Sequence, residues 1–146
     1  IADCRCLELY AGSGILSMEA LSRAARHVTL VERDRETFDA LVANLTTLAN
    51  SPARYSCYNC AVQDFLATPS NNGPYDIVFV DAPFQSNDLP GVLDRLTQAG
   101  MLATDDALIY LETPVPVLTD QLPVGLQIHR QGRAGLVHFC LLRLNR

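Results

Sequence analysis

Three short segments of the chain combine residue types that can bind a ligand or support a reaction. The first is the glycine-containing loop ELYAGSG, which runs from Glu8 to Gly14. Glycine lets the backbone approach a ligand closely, and a helix that begins at such a loop directs its electropositive N-terminus towards the ligand. The same pattern is equally consistent with a structural turn, so the loop alone does not establish a binding site.

The second segment is a single acidic residue, Glu32, which lies 18 residues after Gly14 at the end of a predicted strand. A carboxylate in this position can accept hydrogen bonds from both hydroxyls of a ribose, as it does in dinucleotide-binding folds. Its alternative interpretation is a solvated carboxylate at the end of a strand. Together, the loop and Glu32 favour a cofactor that contains adenosine.

The choice between adenosine cofactors depends on two residues. The NAD fingerprint needs a third glycine at the position of Ser17, where glycine packs the helix against the strand. Glu8, upstream in the loop, suits a ligand with an amino group better than one with a pyrophosphate. Both residues favour S-adenosylmethionine, and an NAD-dependent oxidoreductase is the weakest of the hypotheses.

The third segment, Asp81-Ala82-Pro83-Phe84, follows a continuous apolar run. Methylation of an exocyclic amine is an in-line displacement on a sulfonium methyl group, so geometry contributes most of the catalysis. Asp81 and the carbonyl of Ala82 could accept the two hydrogens of the amine and orient its lone pair. The ring of Phe84 could stack on a base extruded from its helix. The structural alternative is a strand end followed by a proline turn.

The elements that must position these segments alternate between strands and helices. Strands are predicted over residues 4–10, 27–31, 53–59, 77–80, 107–112, 126–130 and 136–143, and helices over 15–25, 35–48, 62–66 and 89–98. The last two strands are expected to pair in antiparallel fashion around a turn at 133–135. This alternation predicts a doubly wound, mostly parallel sheet, in which ligands bind beyond the carboxyl ends of the strands. All three segments would then lie on one rim.

The chain has 146 residues, enough for one domain with a substantial core, and we expect a single domain over residues 1–146. Its apolar stretches have the length of strands, so we expect no membrane association. The net charge of −5 argues against binding nucleic acid by charge alone. All eleven basic residues are arginines, however, and these could form a local patch.

Five cysteines without a secretion signal indicate reduced thiols in a cytoplasmic protein. The pairs Cys4 with Cys6 and Cys57 with Cys60 have spacings that could suggest a metal site. No third pair or neighbouring histidine completes a usual zinc pattern, and cysteine is common in buried strands. We therefore expect no metal.

Several segments spread over essentially the whole chain carry a resemblance to a known family. They are residues 6–14 (CLELYAGSG), 19–23 (EALSR), 28–34 (VTLVERD), 77–81 (IVFVD) and 107–112 (ALIYLE), and residues 129–130 with 134–137. In these segments the chain resembles the RsmD family, whose members methylate the N2 amine of a guanine in bacterial small-subunit (16S) ribosomal RNA. The resemblance implies an α/β Rossmann-like class I methyltransferase fold. Such a fold is a three-layer sandwich around a seven-stranded, mostly parallel sheet with a C-terminal antiparallel hairpin.

The resemblance also implies S-adenosylmethionine as the cofactor and assigns residues to it. Gly12 and Gly14 would line its methionine end and Glu32 its ribose. Near the adenine the family often has an acidic or amide residue where this chain has Ala61, so we expect the backbone of Ala61 and Val62 to contact adenine. The complete expected cofactor set is Glu8, Tyr10, Ala11, Gly12, Ser13, Gly14, Glu32, Arg33, Ala61, Val62 and Asp81. The expected catalytic loop consists of Asp81, Ala82, Pro83 and Phe84.

Two departures from the family bear on activity. Ala82 stands where the family usually has proline, which frees one backbone angle and makes the loop less rigid. We expect this to lower or retarget activity rather than abolish it. The family also has an N-terminal arm before the first strand that helps to bind RNA, and no such arm precedes the first predicted strand here. RNA contacts are therefore expected at Arg130 and Arg133, which could equally be ordinary surface charges.

The resemblance predicts ribosomal RNA or the small ribosomal subunit as the partner. We separately expect the enzyme to be a monomer. Two other hypotheses remain open. One is a cofactor-binding module that has lost catalysis, as the alanine in the catalytic loop suggests. The other is a methyltransferase that acts on another amine, such as DNA adenine or a protein glutamine, because similar loops serve those substrates.

Overall fold

The structure is a computed structural model that describes residues 1–68, 73–83, 87–98 and 100–145. Within these residues the strands are β1 (Arg5–Leu9), β2 (His27–Val31), β3 (Tyr55–Tyr58), β4 (Ile77–Val80), β5 (Leu108–Thr113), β6 (Leu126–Ala134) and β7 (Val137–Leu144). The α-helices are α1 (Ile15–Ser22), α2 (Arg35–Leu48), α3 (Val62–Ala67) and α4 (Leu89–Thr97). None of the described helices is both long and apolar enough to cross a membrane.

The seven strands form one sheet in the order β3-β2-β1-β4-β5-β7-β6. Strands β1 to β5 pair in parallel, whereas β7 pairs in antiparallel fashion with both β5 and β6. The chain moves outward from β1 to β3 and then returns to β4 on the other side of β1. The predicted α/β architecture with its C-terminal antiparallel hairpin is therefore confirmed. In such a sheet the crevice between β1 and β4 is where ligands bind.

Alternate residues of the central strands pack against opposite layers of helices. Leu7, Leu9 and Val80 belong to a core that includes α3 and α4. Cys6 and Leu30 belong to a second core that includes α1 and α2. The carboxyl ends of the parallel strands are thereby held rigidly at one rim between the two layers.

Several predicted boundaries were wrong for local reasons. Helix α1 ends at Ser22, before the expected residue 25, because Ala24 adopts a left-handed conformation with φ of 66°. Strand β3 starts late because Pro52–Arg54 form a 3-10 turn. Strand β6 continues through the expected turn to Ala134, because its pairing with β7 extends to the tip of the hairpin.

Candidate functional site

A cavity of about 720 Å³ opens at the switch point, beyond the carboxyl ends of β1, β2 and β4. The predicted site residues that line it are Tyr10, Gly12, Glu32, Arg33, Ala61, Val62, Asp81, Ala82 and Pro83. Five further lining residues escaped prediction, namely Val31, Thr37, Cys60, Gln63 and Asp88. Three segments far apart in the sequence therefore meet around one space, as the rule for parallel sheets led us to expect.

The glycine loop is held over the end of β2 by its own backbone. The N–H of Ala11 donates to the carbonyl of Val31 at 2.9 Å, and the N–H of Gly14 donates to the carbonyl of Ala11 at 2.8 Å. Tyr10 has a φ of 56°, which is uncommon for a residue with a side chain and is typical of strained backbone at functional sites. The loop is therefore a specific tight conformation built around the cavity.

Glu32 links the loop to the cavity. Its Oε2 accepts the N–H of Gly12 at 2.8 Å, and its Oε1 accepts the N–H of Asp34 at 2.9 Å. A carboxylate oxygen has two lone pairs, so each oxygen retains the capacity to accept one more hydrogen bond. Because Glu32 also lines the cavity, these positions fit the two hydroxyls of a ribose.

The two glycines of the loop face different surroundings, although both have positive φ. A methyl group on Gly12 would come no closer than 4.0 Å to any atom beyond its chain neighbours, the nearest being the carbonyl oxygen of Tyr10. A methyl group on Gly14 would overlap the side chain of Leu41 and lie 3.1 Å from that of Leu30. Gly12 therefore leaves open space on the cavity wall, whereas Gly14 lets α1 pack closely on the core.

Glu8 is buried against the first turn of α1 and is not among the residues that line the cavity. Its side chain is 4% exposed, and its Oε2 accepts the N–H of Ser17 at 2.9 Å. Burial raises the pKa of Glu8 to about 7, and the negative charge of Asp81 adds to this effect. Four of the predicted cofactor residues are not among those that line the cavity, namely Glu8, Ala11, Ser13 and Gly14. Glu8, Ala11 and Gly14 are buried behind the loop, whereas Ser13 is exposed.

The opposite wall is formed by the segment that enters α3. Asn59 fixes this segment to β2, since its Nδ2 donates to the carbonyls of Glu32 and Arg33 at 3.0 and 2.9 Å. The side chain of Gln63 donates to Oδ2 of Asp88 at 2.6 Å and so connects α3 to the residue before α4. Residues such as Gln63 were missed because a polar side chain on a helix has no pattern that distinguishes a cavity wall from a solvated surface.

The predicted catalytic loop begins where β4 ends. Asp81, Ala82 and Pro83 line the cavity, whereas Phe84 lies outside the described residues. Partial desolvation raises the pKa of Asp81 above its ordinary value, and the negative charge of Glu112 adds to this effect. The carboxylate is thus placed beside the cavity in an environment that favours uptake of a proton.

Arg130 and Arg133 lie on β6 at the edge of the sheet and are exposed. The Nε of Arg133 donates to the carbonyl of Gly135 at 2.6 Å. Strands β5 and β7 separate β6 from β4, which corresponds to about 14 Å at the usual strand spacing. The arginines are therefore outside the cavity but on the same sheet. Among the residues that the structure describes, no group of three or more histidine, cysteine, aspartate or glutamate side chains could hold a metal ion.

The strand order, the C-terminal hairpin and a cavity lined by a glycine loop and an acidic strand end define the class of protein as a class I methyltransferase. A family model described as "Conserved hypothetical protein 95" matches residues 1–143. The chain belongs to this family. The resemblance to the RsmD family is thereby confirmed.

Individual relatives agree with this assignment. Ribosomal RNA small subunit methyltransferase D of Escherichia coli is 41% identical over 141 residues, which cover 97% of this chain and 69% of that protein. The protein of the same name from Haemophilus influenzae is 36% identical over 143 residues, covering 97% of this chain and 72% of that protein. A crystal structure from Haemophilus influenzae, described as a candidate methylase, superposes with a TM-score of 0.86 at 34% identity and covers 100% of this chain and 89% of that one.

Proposed function

We propose that this protein transfers a methyl group from S-adenosylmethionine to the N2 amine of a guanine in small-subunit (16S) ribosomal RNA. The observation that carries the proposal is the meeting of Gly12, Glu32 and Asp81 at one cavity at the switch point of the sheet. The relatives named ribosomal RNA small subunit methyltransferase D support the RNA substrate. The guanine N2 target rests on the resemblance of the sequence to the RsmD family.

The residues around the cavity suit the adenosine part of this cofactor. Glu32 accepts the ribose hydroxyls on lone pairs that the backbone leaves unused. Gly12 keeps the wall free of a side chain, so the ligand can approach the loop backbone. The backbone at Ala61 and Val62 contacts the adenine. When bound, the cofactor supplies the electrophilic methyl group.

On the acceptor side, Asp81 and the carbonyl of Ala82 orient the amine. Each accepts one of its hydrogens, which directs the nitrogen lone pair towards the cavity. The amine nitrogen must lose a proton once it has formed its new bond to carbon. Asp81 is suited to accept that proton, because its partial burial and the neighbouring Glu112 raise its pKa.

RNA binding relies on local contacts, since the chain as a whole carries a net charge of −5. Arg130 and Arg133 are exposed on the edge strand β6 and can each contact a phosphate. Two phosphate contacts contribute a salt dependence with a slope of about −2 in a plot of log affinity against log salt concentration.

The decisive experiment measures the transfer of labelled methyl groups from S-adenosylmethionine to small ribosomal subunits purified from cells that lack the gene, followed by mass spectrometry of the nucleosides. We expect N2-methylguanosine as the labelled product. Asp81→Asn should lower the rate at saturating cofactor by at least about 100-fold, as is typical of a lost acid–base group. Asp94→Asn, on the exposed face of α4, is the matched control.

The outcomes separate the alternatives. Label in a different nucleoside or in protein would assign the enzyme to another amine. Binding of the cofactor without transfer to any substrate would identify a module that has lost catalysis, as the alanine at position 82 suggests. Full activity of Asp81→Asn would refute the role given to the catalytic loop.

A further inference from the structure

A second carboxylate lies next to Asp81 on the adjacent strand. Val80 of β4 pairs with Leu111 of β5, so the next residues along the two parallel strands, Asp81 and Glu112, stand opposite one another. Neighbouring strands are about 4.8 Å apart, and side chains in register point to the same face. The negative charge of Glu112 is felt at Asp81, which agrees with this placement. Glu112 is not part of the cavity wall, so it lies on the side of Asp81 away from the proposed cofactor.

Glu112 is held in place by aromatic neighbours. The hydroxyl of Tyr110 donates to Oε1 of Glu112 at 3.0 Å. The ring of Tyr110 packs edge-on against Phe79 with a centroid separation of 6.3 Å, which positions the phenol. Tyr110 uses one lone pair of Oε1, and no other side chain of the described residues donates to Glu112, so its second oxygen can accept from a ligand. The carboxylate is therefore oriented in advance.

The aromatic residue opposite Glu112 directs its ring tip towards a glycine on the next strand. Phe139 of β7 pairs with both Glu112 of β5 and Gly132 of β6. A methyl group on Gly132 would lie 2.5 Å from Cζ of Phe139, so the ring tip extends over Gly132 and away from Glu112. In the part of the chain that the structure describes, no arginine forms an ion pair with Asp81 or Glu112. Within those residues the two adjacent acceptors therefore have no cationic partner.

A pair of carboxylates of this kind matches one nucleobase. The Watson–Crick edge of guanine presents two adjacent donors, the N1–H and the N2 amine. Adenine and cytosine present a lone pair at the ring nitrogen, and uracil has carbonyl oxygens on both sides of its N–H. A carboxylate accepts from guanine but repels a lone pair, and sites that bind a donor in this way reject analogues that lack it by large factors.

We propose that Glu112, positioned by Tyr110, selects guanine by accepting its N1–H while Asp81 accepts a hydrogen of the N2 amine. This inference rests on the proposed function, since it assumes that guanine is the substrate. It assigns different tasks to the two carboxylates. Asp81 acts on the reacting amine, and Glu112 determines which base carries it.

The test compares two bases that share the N2 amine but differ at N1 and at C6, where only guanine has a carbonyl. The change in preference caused by Glu112→Gln therefore reports on N1. Once the methylated guanine is mapped, 2-aminopurine is placed at that position in the ribosomal RNA by ligation, because it keeps the amine but has a lone pair at N1. We expect the wild type to prefer guanine by at least about 100-fold in kcat/KM. Glu112→Gln should lose about 10- to 100-fold on guanine, the cost of a charged hydrogen bond. The same variant should also reduce the preference for guanine over 2-aminopurine, because the amide of the new glutamine can donate to N1 of 2-aminopurine.

Two further variants make the result specific. Tyr110→Phe keeps the fold and the aromatic packing but frees Glu112, so it should reduce the preference for guanine less than Glu112→Gln does. Glu19→Gln, on the exposed face of α1, should leave the preference unchanged. Cofactor binding measured by calorimetry should be the same in all three.

The two proposals fail in distinguishable ways. If the wild type does not methylate guanine, the proposed function is wrong. If the wild type methylates guanine but Glu112→Gln retains the full preference over 2-aminopurine, the role of Glu112 alone is overturned. A wild type that accepts both bases equally would also overturn it.

Discussion

The two glycines of the cofactor loop should respond in opposite ways to the same substitution. Both have positive φ, 55° for Gly12 and 73° for Gly14. Gly12 faces open space on the cavity wall, whereas a side chain on Gly14 would meet Leu41 and Leu30 in the core. Gly12→Ala and Gly14→Ala therefore share the cost of the left-handed backbone. They differ in what the new methyl group meets, which is the cavity at Gly12 and the core at Gly14.

The magnitudes follow from these surroundings. A left-handed backbone costs alanine about 1–2 kcal/mol relative to glycine, and this is the main penalty for Gly12→Ala. Gly14→Ala adds the overpacking of a buried methyl group, about 1–3 kcal/mol, because Leu41 must move. We expect Gly14→Ala to lower the free energy of unfolding by about 2–5 kcal/mol. For a domain of this size that corresponds to a fall in Tm of about 10 °C.

Urea denaturation and calorimetry with S-adenosylmethionine separate the two effects. Gly12→Ala should lose only the backbone cost of about 1–2 kcal/mol in unfolding free energy. It should bind the cofactor at least about 10-fold more weakly, because its methyl group enters the space next to the ligand. Gly14→Ala, measured where it is fully folded, should keep most of its affinity. Equal losses of stability, or a loss of affinity confined to Gly14→Ala, would refute the distinction between the two positions.

Three other substitutions test separate features. Burial raises the pKa of Glu8 from 4.5 to about 7, so the folded state holds the proton more tightly than the unfolded state does. The free energy of unfolding therefore falls as the pH rises through this interval. Glu8→Gln should remove that part of the pH dependence, as measured by urea titrations at pH 5 and pH 8. Ala82→Pro should raise kcat without changing cofactor affinity, because it restricts the catalytic loop, and an unchanged kcat would speak against a rigidity effect. Replacing both Arg130 and Arg133 by glutamine should weaken RNA binding and reduce the magnitude of its salt slope by about 2, whereas an unchanged slope would place the RNA elsewhere.

The fold could be predicted largely from local patterns. Apolar runs of strand length alternate with segments of helical periodicity, and this alternation leaves few arrangements other than a doubly wound sheet. The rule that ligands bind beyond the carboxyl ends of parallel strands then predicts that Gly12, Glu32 and Asp81 lie on one rim. The roles assigned to these residues stay predictions until they are measured.

The structure revealed features that depend on contacts between distant segments, which local sequence patterns do not encode. Gln63 and Asp88 line the cavity because of where α3 and α4 pack along the sheet. No local sequence pattern indicates that these two residues face a cavity. Strand β6 runs to Ala134 because β7 offers partners as far as the tip of the hairpin. Pairing of this kind depends on a neighbour, so propensity alone placed the end of the strand too early.

By itself, the sequence determined the fold class and the kind of cofactor and predicted where the site should lie, because strand and helix periodicity and the glycine and acidic positions are local properties. Only the tertiary structure decided which neighbours surround each side chain. It turned Gly14 to the core and Gly12 to the cavity, and it directed Glu8 to α1. It also placed Glu112 beside Asp81, 31 residues away in the chain. The physical reason is that a side chain's partner is set by strand register and helix packing, which involve residues far apart in sequence.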